Sequence, residues 1–160
     1  VVTVGKITAG DRYNVISGEA HLEGTIRYFS EEIGKDLKET LVHVAKTTAE
    51  AYGATAEVTF RQMGATLTND AKLAQVGQRA VTKLLGEATL APMEKTMGGE
   101  DFSFYLDKKP GCYAFFGIKN PELGAVHSHH SNYFTIDESA LPKAAGVYAE
   151  YTAEFLNGDD

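Results

Sequence analysis

The chain has 160 residues, 43% of them apolar and 23% charged, enough for one ordinary core or two small ones and unlike a disordered composition. Its net charge of −7, with lysines and arginines scattered and not striped, argues against nucleic acid, because a phosphate-binding surface needs a basic face. No apolar run approaches the roughly 20 residues of a membrane span, and no charged-then-apolar leader opens the chain.

The sequence begins on "VVTVGKI", a β-branched run that reads as a strand, with turn chemistry in "AGDRYN" behind it. It has no initiator methionine, so the expectation is a start inside a larger protein. In "HLEGTIRYF", Leu22, Gly24, Ile26 and Tyr28 share one face while His21, Glu23, Thr25 and Arg27 share the other, the period-two pattern of a half-buried strand. Ser30 offers an N-cap, followed by Glu31 and Glu32, which suit the positive end of a helix. Ile33, Leu37, Leu41, Val44 and Thr48 then form a helical stripe that Gly53 ends. "ATAEVTF" alternates again and predicts a further strand. This β-β-α-β order predicts an α+β unit, an antiparallel sheet with helices on one face and an incomplete ferredoxin-like unit lacking its first strand and helix.

Past Gly64 the rhythm changes, which places the domain boundary there: 1–64 and 65–160. Asn69 or Asp70 can cap a helix carrying Leu73, Val76, Ala80, Val81 and Leu84, closed by Gly86. After "MGGEDFSFYL" and the turn "KKPG" comes "CYAFFGI", an apolar run without alternation that predicts a strand buried on both faces, as in α/β sheets. The last helix starts near "DESALPKAAG", tolerates Pro142 in its first turns and carries Leu141, Ala145, Tyr148, Thr152 and Phe155 as its expected inner stripe.

Three stretches carry chemistry. "GAVHSHHSNYFTIDESAL" places His127, His129 and His130 within four positions of a chain that has five histidines. Neutral imidazole is a common metal ligand, yet three histidines in a loop are not a complete tetrahedral set, so a solvated loop stays open. Phe134 and Ile136 are expected to fix the last histidine against the core. In "GGEDFSFY" the paired glycines admit a close backbone approach to a ligand, and Glu100 and Asp101 follow at an expected helix start, where acidic residues can equally be caps. Arg27, on a polar strand face, is either solvated or a two-pronged grip on a carboxylate. Cys112 heads an apolar run and reads as packing; as a lone cysteine it fits a reducing, cytoplasmic setting.

Taken together, "VVTVGKITAG", "NVISGEAHLEGTIR", "MGGEDFSFYL" and "HSNYFTIDESALPKAA" resemble the M20 family of metal-dependent peptidases and amidohydrolases, in the branch of hippurate hydrolases, indole-acetyl-amino-acid hydrolases and N-acyl-amino-acid deacetylases. The resemblance spans the chain almost end to end. It implies that residues 1–64 are the second part of a lid used for homodimerisation and that residues 65–160 are the C-terminal part of an α/β, zinc-peptidase-like catalytic domain. By the match, His130 is the family's last metal ligand, His127 and His129 are loop neighbours, and Cys112 does not align with a ligand. The family usually has proline where Asn132 stands. Asn14 and Arg27 match lid positions that contact substrate, Arg27 facing its carboxylate, and Gly99 and Glu100 lie beside the metal pocket. The implied reaction is hydrolysis of an N-acyl amino acid or short peptide by two divalent ions, zinc, manganese or cobalt, with the general base and the remaining ligands upstream of this chain. The resemblance further implies that the chain alone is inactive. Two other readings stand beside it: a non-catalytic dimerising or binding module, and a metal aminopeptidase with no need of Arg27.

Overall fold

The computed structural model describes residues 1–158 and resolves them into two compact units, described separately below. The first comprises Val1–Leu67 with Lys95–Phe104, the second Thr68–Glu94 with residues from Tyr105 onward. Among the described residues no helix is long and apolar enough to cross a membrane.

The first unit is built on an antiparallel hairpin of β1 (Val2–Ala9) and β2 (Ala20–Ile26). On β1 the apolar residues fall at 2 and 4 and then at 7 and 9, which strict alternation would put on opposite faces. An irregularity in register between Val4 and Lys6, at Gly5, corrects the phase. Val2, Val4, Ile7 and Ala9 thereby pair with Ile26, Gly24, Leu22 and Ala20, so one face of the hairpin is wholly apolar. Lys6 pairs with Glu23 on the other face and ion-pairs with it, which holds the Glu23 carboxyl below its ordinary range. Gly24 is required by close approach: a Cβ there would lie 2.1 Å from the Thr3 carbonyl oxygen.

Helix α1 (Glu31–Ala51) follows and ends where Gly53 takes φ +71°. Its less exposed face differs from the expected stripe. Gly34 is buried and Leu37, Leu41, Ala45 and Ala49 are half-buried, while Ile33, Val44 and Thr48 are exposed. The cause is Gly34, whose missing side chain leaves room for the Tyr28 ring; a Cβ would sit 2.5 Å from it. Ser30 occupies the N-cap position without a side-chain cap, and Glu31 instead accepts from the Thr66 N–H at 2.9 Å and hydroxyl at 3.0 Å.

The expected strand in "ATAEVTF" does not form a ladder among the described residues, so the sheet has two strands. A strand exists only through a neighbour that takes its N–H and C=O groups, and this segment meets none here.

In the second unit, α2 (Ala71–Leu85) packs against the last helix, Ala140–Asn157, which is α4 in chain order after the short α3 (Ser103–Leu106) of the glycine-rich turn. Asp70 caps α2, its Oδ1 accepting from the N–H groups of Lys72 and Leu73, both at 3.0 Å. Asn69 is thereby released to brace a distant segment. Its amide bonds both the N–H and the C=O of Tyr113, each at 2.8 Å. Val76, Ala80, Ala125 and Val147 form the buried centre.

The inner face of α4 also differs from expectation. Val147 is buried and Ala144, Tyr151 and Glu154 are half-buried, while Leu141, Ala145, Tyr148, Thr152 and Phe155 are exposed, Tyr148 at 78%. This helix is apolar nearly all round, so periodicity does not choose a face. Small residues do: Gly146 lies against Leu84, and Gly77 of α2 lies against Tyr151 and Cys112. Lys83 of α2 joins Glu150 at 2.5 Å and Glu154 at 3.0 Å across the packed pair, and Arg79 reaches Glu154 at 3.6 Å. The "CYAFFGI" segment is not a doubly buried strand. It makes no ladder among the described residues, none of its side chains is fully buried, and Phe115 is 62% exposed. Isolated bonds hold it, from Asn69 to Tyr113 and from the Asp137 N–H to the Ile118 carbonyl at 3.0 Å.

Candidate functional site

Arg27 directly follows β2, where its backbone N–H bonds the Val1 carbonyl at 2.9 Å and its carbonyl accepts from the Val1 amino group at 2.8 Å. Its side chain leaves the hairpin and Nη1 donates to the Met97 carbonyl at 2.6 Å. The guanidinium is thus set against the backbone that leads into Gly98, Gly99 and Glu100. Nη1 is one of several donors on that fork, so others stay available to a ligand. Beside Gly99 there is open space, since a Cβ built there meets no atom within 4 Å.

Glu100 shapes the following turn. Its Oε1 accepts from the Phe102 N–H at 3.2 Å, and its carbonyl accepts from the Ser103 hydroxyl at 2.6 Å. Glu100 thus bonds the backbone of the turn that leads into α3. The sequence did not single out Ser103. It is completely buried, and its oxygen also accepts from the Ala65 N–H at 2.9 Å. Its only sequence signal is its position three residues after Glu100.

Asn14 lies exposed in the ten-residue connection between the hairpin strands, next to the Ala9–Ala20 pair. Arg27 lies beyond the opposite Val2–Ile26 pair. Seven residues of strand, at about 3.3 Å each, separate the two ends by roughly 20 Å. One copy of the hairpin therefore brings Arg27 and the Gly99–Glu100 turn together and keeps Asn14 apart from both.

In the second unit the histidine loop is exposed. The His127 ring packs near Tyr133 with centroids 5.6 Å apart, and His129 meets Phe134 edge-on at 4.9 Å. Phe134 thus braces His129 within the loop. His130 is fixed by its backbone: at φ +67° it is the one non-glycine residue with positive φ among those described. That conformation costs an L-residue roughly 1–2 kcal/mol. The loop is closed behind it by Asp137, whose Oδ2 accepts from Asn120 at 2.7 Å and whose Oδ1 accepts from the Ser139 N–H at 3.0 Å. These bonds, Asn120's first, hold the Asp137 carboxyl below its ordinary range. Among the described residues no three His, Cys, Asp or Glu side chains converge as a metal site. His130 presents an exposed imidazole in this loop.

Residues 4–154 match the family described as Peptidase family M20/M25/M40. The chain belongs to this family. A solved M20 structure, the Bacillus subtilis YXEP protein described as a dinuclear metal binding peptidase, superposes with a TM-score of 0.82 at 31% identity, covering 98% of this chain and 41% of that one. The M20 fold is therefore shared. The IAA-amino acid hydrolase ILR1-like 6 of Arabidopsis thaliana is 36% identical over 98% of this chain and 35% of its own length. Thermostable carboxypeptidase 2 of Saccharolobus solfataricus is 31% identical over 98% of this chain and 39% of its own. This M20 chain thus spans about two fifths of the length of the curated relatives it matches.

Proposed function

We propose that the chain is the C-terminal part of a metal-dependent hydrolase that cleaves the amide bond of N-acyl amino acids or short peptides. The observation that carries this reading is the Arg27 guanidinium, held at 2.6 Å from the Met97 carbonyl beside the open space at Gly99. A planar fork anchored by one nitrogen is oriented to receive a carboxylate on the others. Such a group belongs to the amino-acid half of an N-acyl amino acid and to a peptide's C-terminus. The names of the hydrolase and carboxypeptidase relatives fit the same substrate class. Two divalent ions (zinc, manganese or cobalt), held in the complete enzyme, would supply Lewis acidity for the amide carbonyl and for water. Within this chain, His130 supplies one ligand, Arg27 and Asn14 bind substrate, and Gly99 and Glu100 line the pocket. The general base and the other ligands come from the remainder of the enzyme.

In this reading residues 1–64 belong to a lid with a ferredoxin-like sheet, and residues 65–160 to the catalytic domain. The separation of Asn14 from Arg27 supports a homodimer, in which one copy's Asn14 reaches the substrate held by the other copy's Arg27. The exposed apolar hairpin face, with Ile7 at 68% and Leu22 at 60%, fits a lid that is covered elsewhere in the complete protein. The test is turnover of hippurate, N-acetyl amino acids and dipeptides by the full-length enzyme, with and without chelator. Chelator-sensitive hydrolysis supports the reading. Its absence on every substrate, with metal bound, favours the non-catalytic module.

A further inference from the structure

Among the described residues Ser103 is the one buried polar side chain, and it has no accessible surface. A buried hydroxyl is retained where it is bonded on both sides, and this one is. It donates to the Glu100 carbonyl at 2.6 Å and accepts from the Ala65 N–H at 2.9 Å. It therefore joins two chain segments, the turn around Gly64 and the turn that carries Gly99 and Glu100. The junction is tight on its far side as well: a Cβ on Gly64 would lie 3.3 Å from the Glu100 carbonyl oxygen and 3.4 Å from the Ser103 hydroxyl. Arg27 holds the same turn from its leading end through the Met97 carbonyl. The paired glycines, which have little rigidity of their own, are thus fixed between two hydrogen-bonded posts.

We infer that Ser103 is a positioning residue: its hydroxyl sets the backbone of the Gly98–Gly99–Glu100 turn at the height from which Glu100 meets the substrate. This rests on the proposal that the turn lines the substrate pocket. The hydroxyl touches neither substrate nor metal, so its loss should misplace Glu100 without removing any binding group.

In the full-length enzyme, Ser103→Ala is expected to lower kcat between about tenfold and about 100-fold, the scale of a misplaced active-site group. KM should stay within about twofold and metal content should be unchanged. Ser103→Thr, which keeps the hydroxyl, should recover most of the lost kcat. Gly64→Ala presses on the same junction with the hydroxyl intact and should lower kcat in the same direction; it decides the matter if Ser103→Ala does not fold. A folded Ser103→Ala or Gly64→Ala enzyme with a lower melting temperature and unchanged kcat would overturn the inference. Glu100→Gln separates the two layers. If it is damaging while Ser103→Ala and Gly64→Ala are not, the positioning role alone is wrong. If Glu100→Gln leaves turnover intact, the turn does not serve the substrate and the underlying site assignment falls with it.

Discussion

Truncating Arg27 tests the substrate assignment, because the structure separates its two jobs. In Arg27→Ala the Met97 carbonyl loses its 2.6 Å donor, a neutral-acceptor bond whose net worth is on the order of 1 kcal/mol or somewhat more. That loss is common to every substrate. A substrate carboxylate loses in addition a charge-assisted bond worth roughly 1.5–3 kcal/mol. The second loss corresponds to about tenfold to about 150-fold in kcat/KM. The assay compares an N-acyl amino acid with its C-terminal amide on the full-length wild type and variant. The acid should fall by that extra factor relative to the amide. Arg27→Lys should lie between, since a compact ammonium cannot hold Met97 and both carboxylate oxygens together. Equal losses on acid and amide would show that Arg27 only supports the glycine turn, and the carboxylate reading would be refuted.

The dimer is tested by mixing Asn14→Ala and Arg27→Ala subunits: shared sites give heterodimers one intact site each and restore about a quarter of wild-type activity, whereas sites within one copy restore nothing. Gly77→Ala should stabilise by about 0.5–1 kcal/mol in thermal or denaturant unfolding, because its Cβ finds ordinary contacts of 3.7 Å to Cys112 and 3.8 Å to Tyr151 in a helix interior. Gly24→Ala should instead cost about 2 kcal/mol or more, since its Cβ meets the Thr3 carbonyl of the paired strand. Asp137 has a folded-state pKa below its ordinary 3.8, so its anion is favoured by folding. Its contribution is complete above that ordinary value and is lost as pH falls below it; Asp137→Asn should flatten the acid limb of an unfolding titration.

The sequence was most legible where local chemistry decides the outcome. Asp70 capping α2, Gly53 and Gly86 closing helices, and the hairpin strands are all written in residues within a few positions of the feature. Helix faces were less legible, because they depend on the partner. α1 turns toward Tyr28 through Gly34, and α4 turns toward α2 through Gly146 and Gly77, so glycines overrule the apolar stripe. The strands expected in "ATAEVTF" and "CYAFFGI" fail for a related reason, since a β pattern states a tendency to pair and names no partner. At the site, the motifs located Arg27 and the glycine turn, while the Met97 and Ser103 bonds that hold that turn join residues 70 and 38 positions apart in sequence and leave no periodic trace.

The most direct measurement is metal content and turnover of the full-length enzyme carrying His130→Ala, beside His127→Ala. His130 presents its imidazole from a left-handed backbone in an exposed loop, whereas His127 packs near Tyr133. The account predicts that wild type holds two divalent ions per chain, that His130→Ala loses bound metal and nearly all chelator-sensitive hydrolysis, and that His127→Ala keeps both. Full metal occupancy and turnover in His130→Ala, or equal damage from His127→Ala, would contradict it.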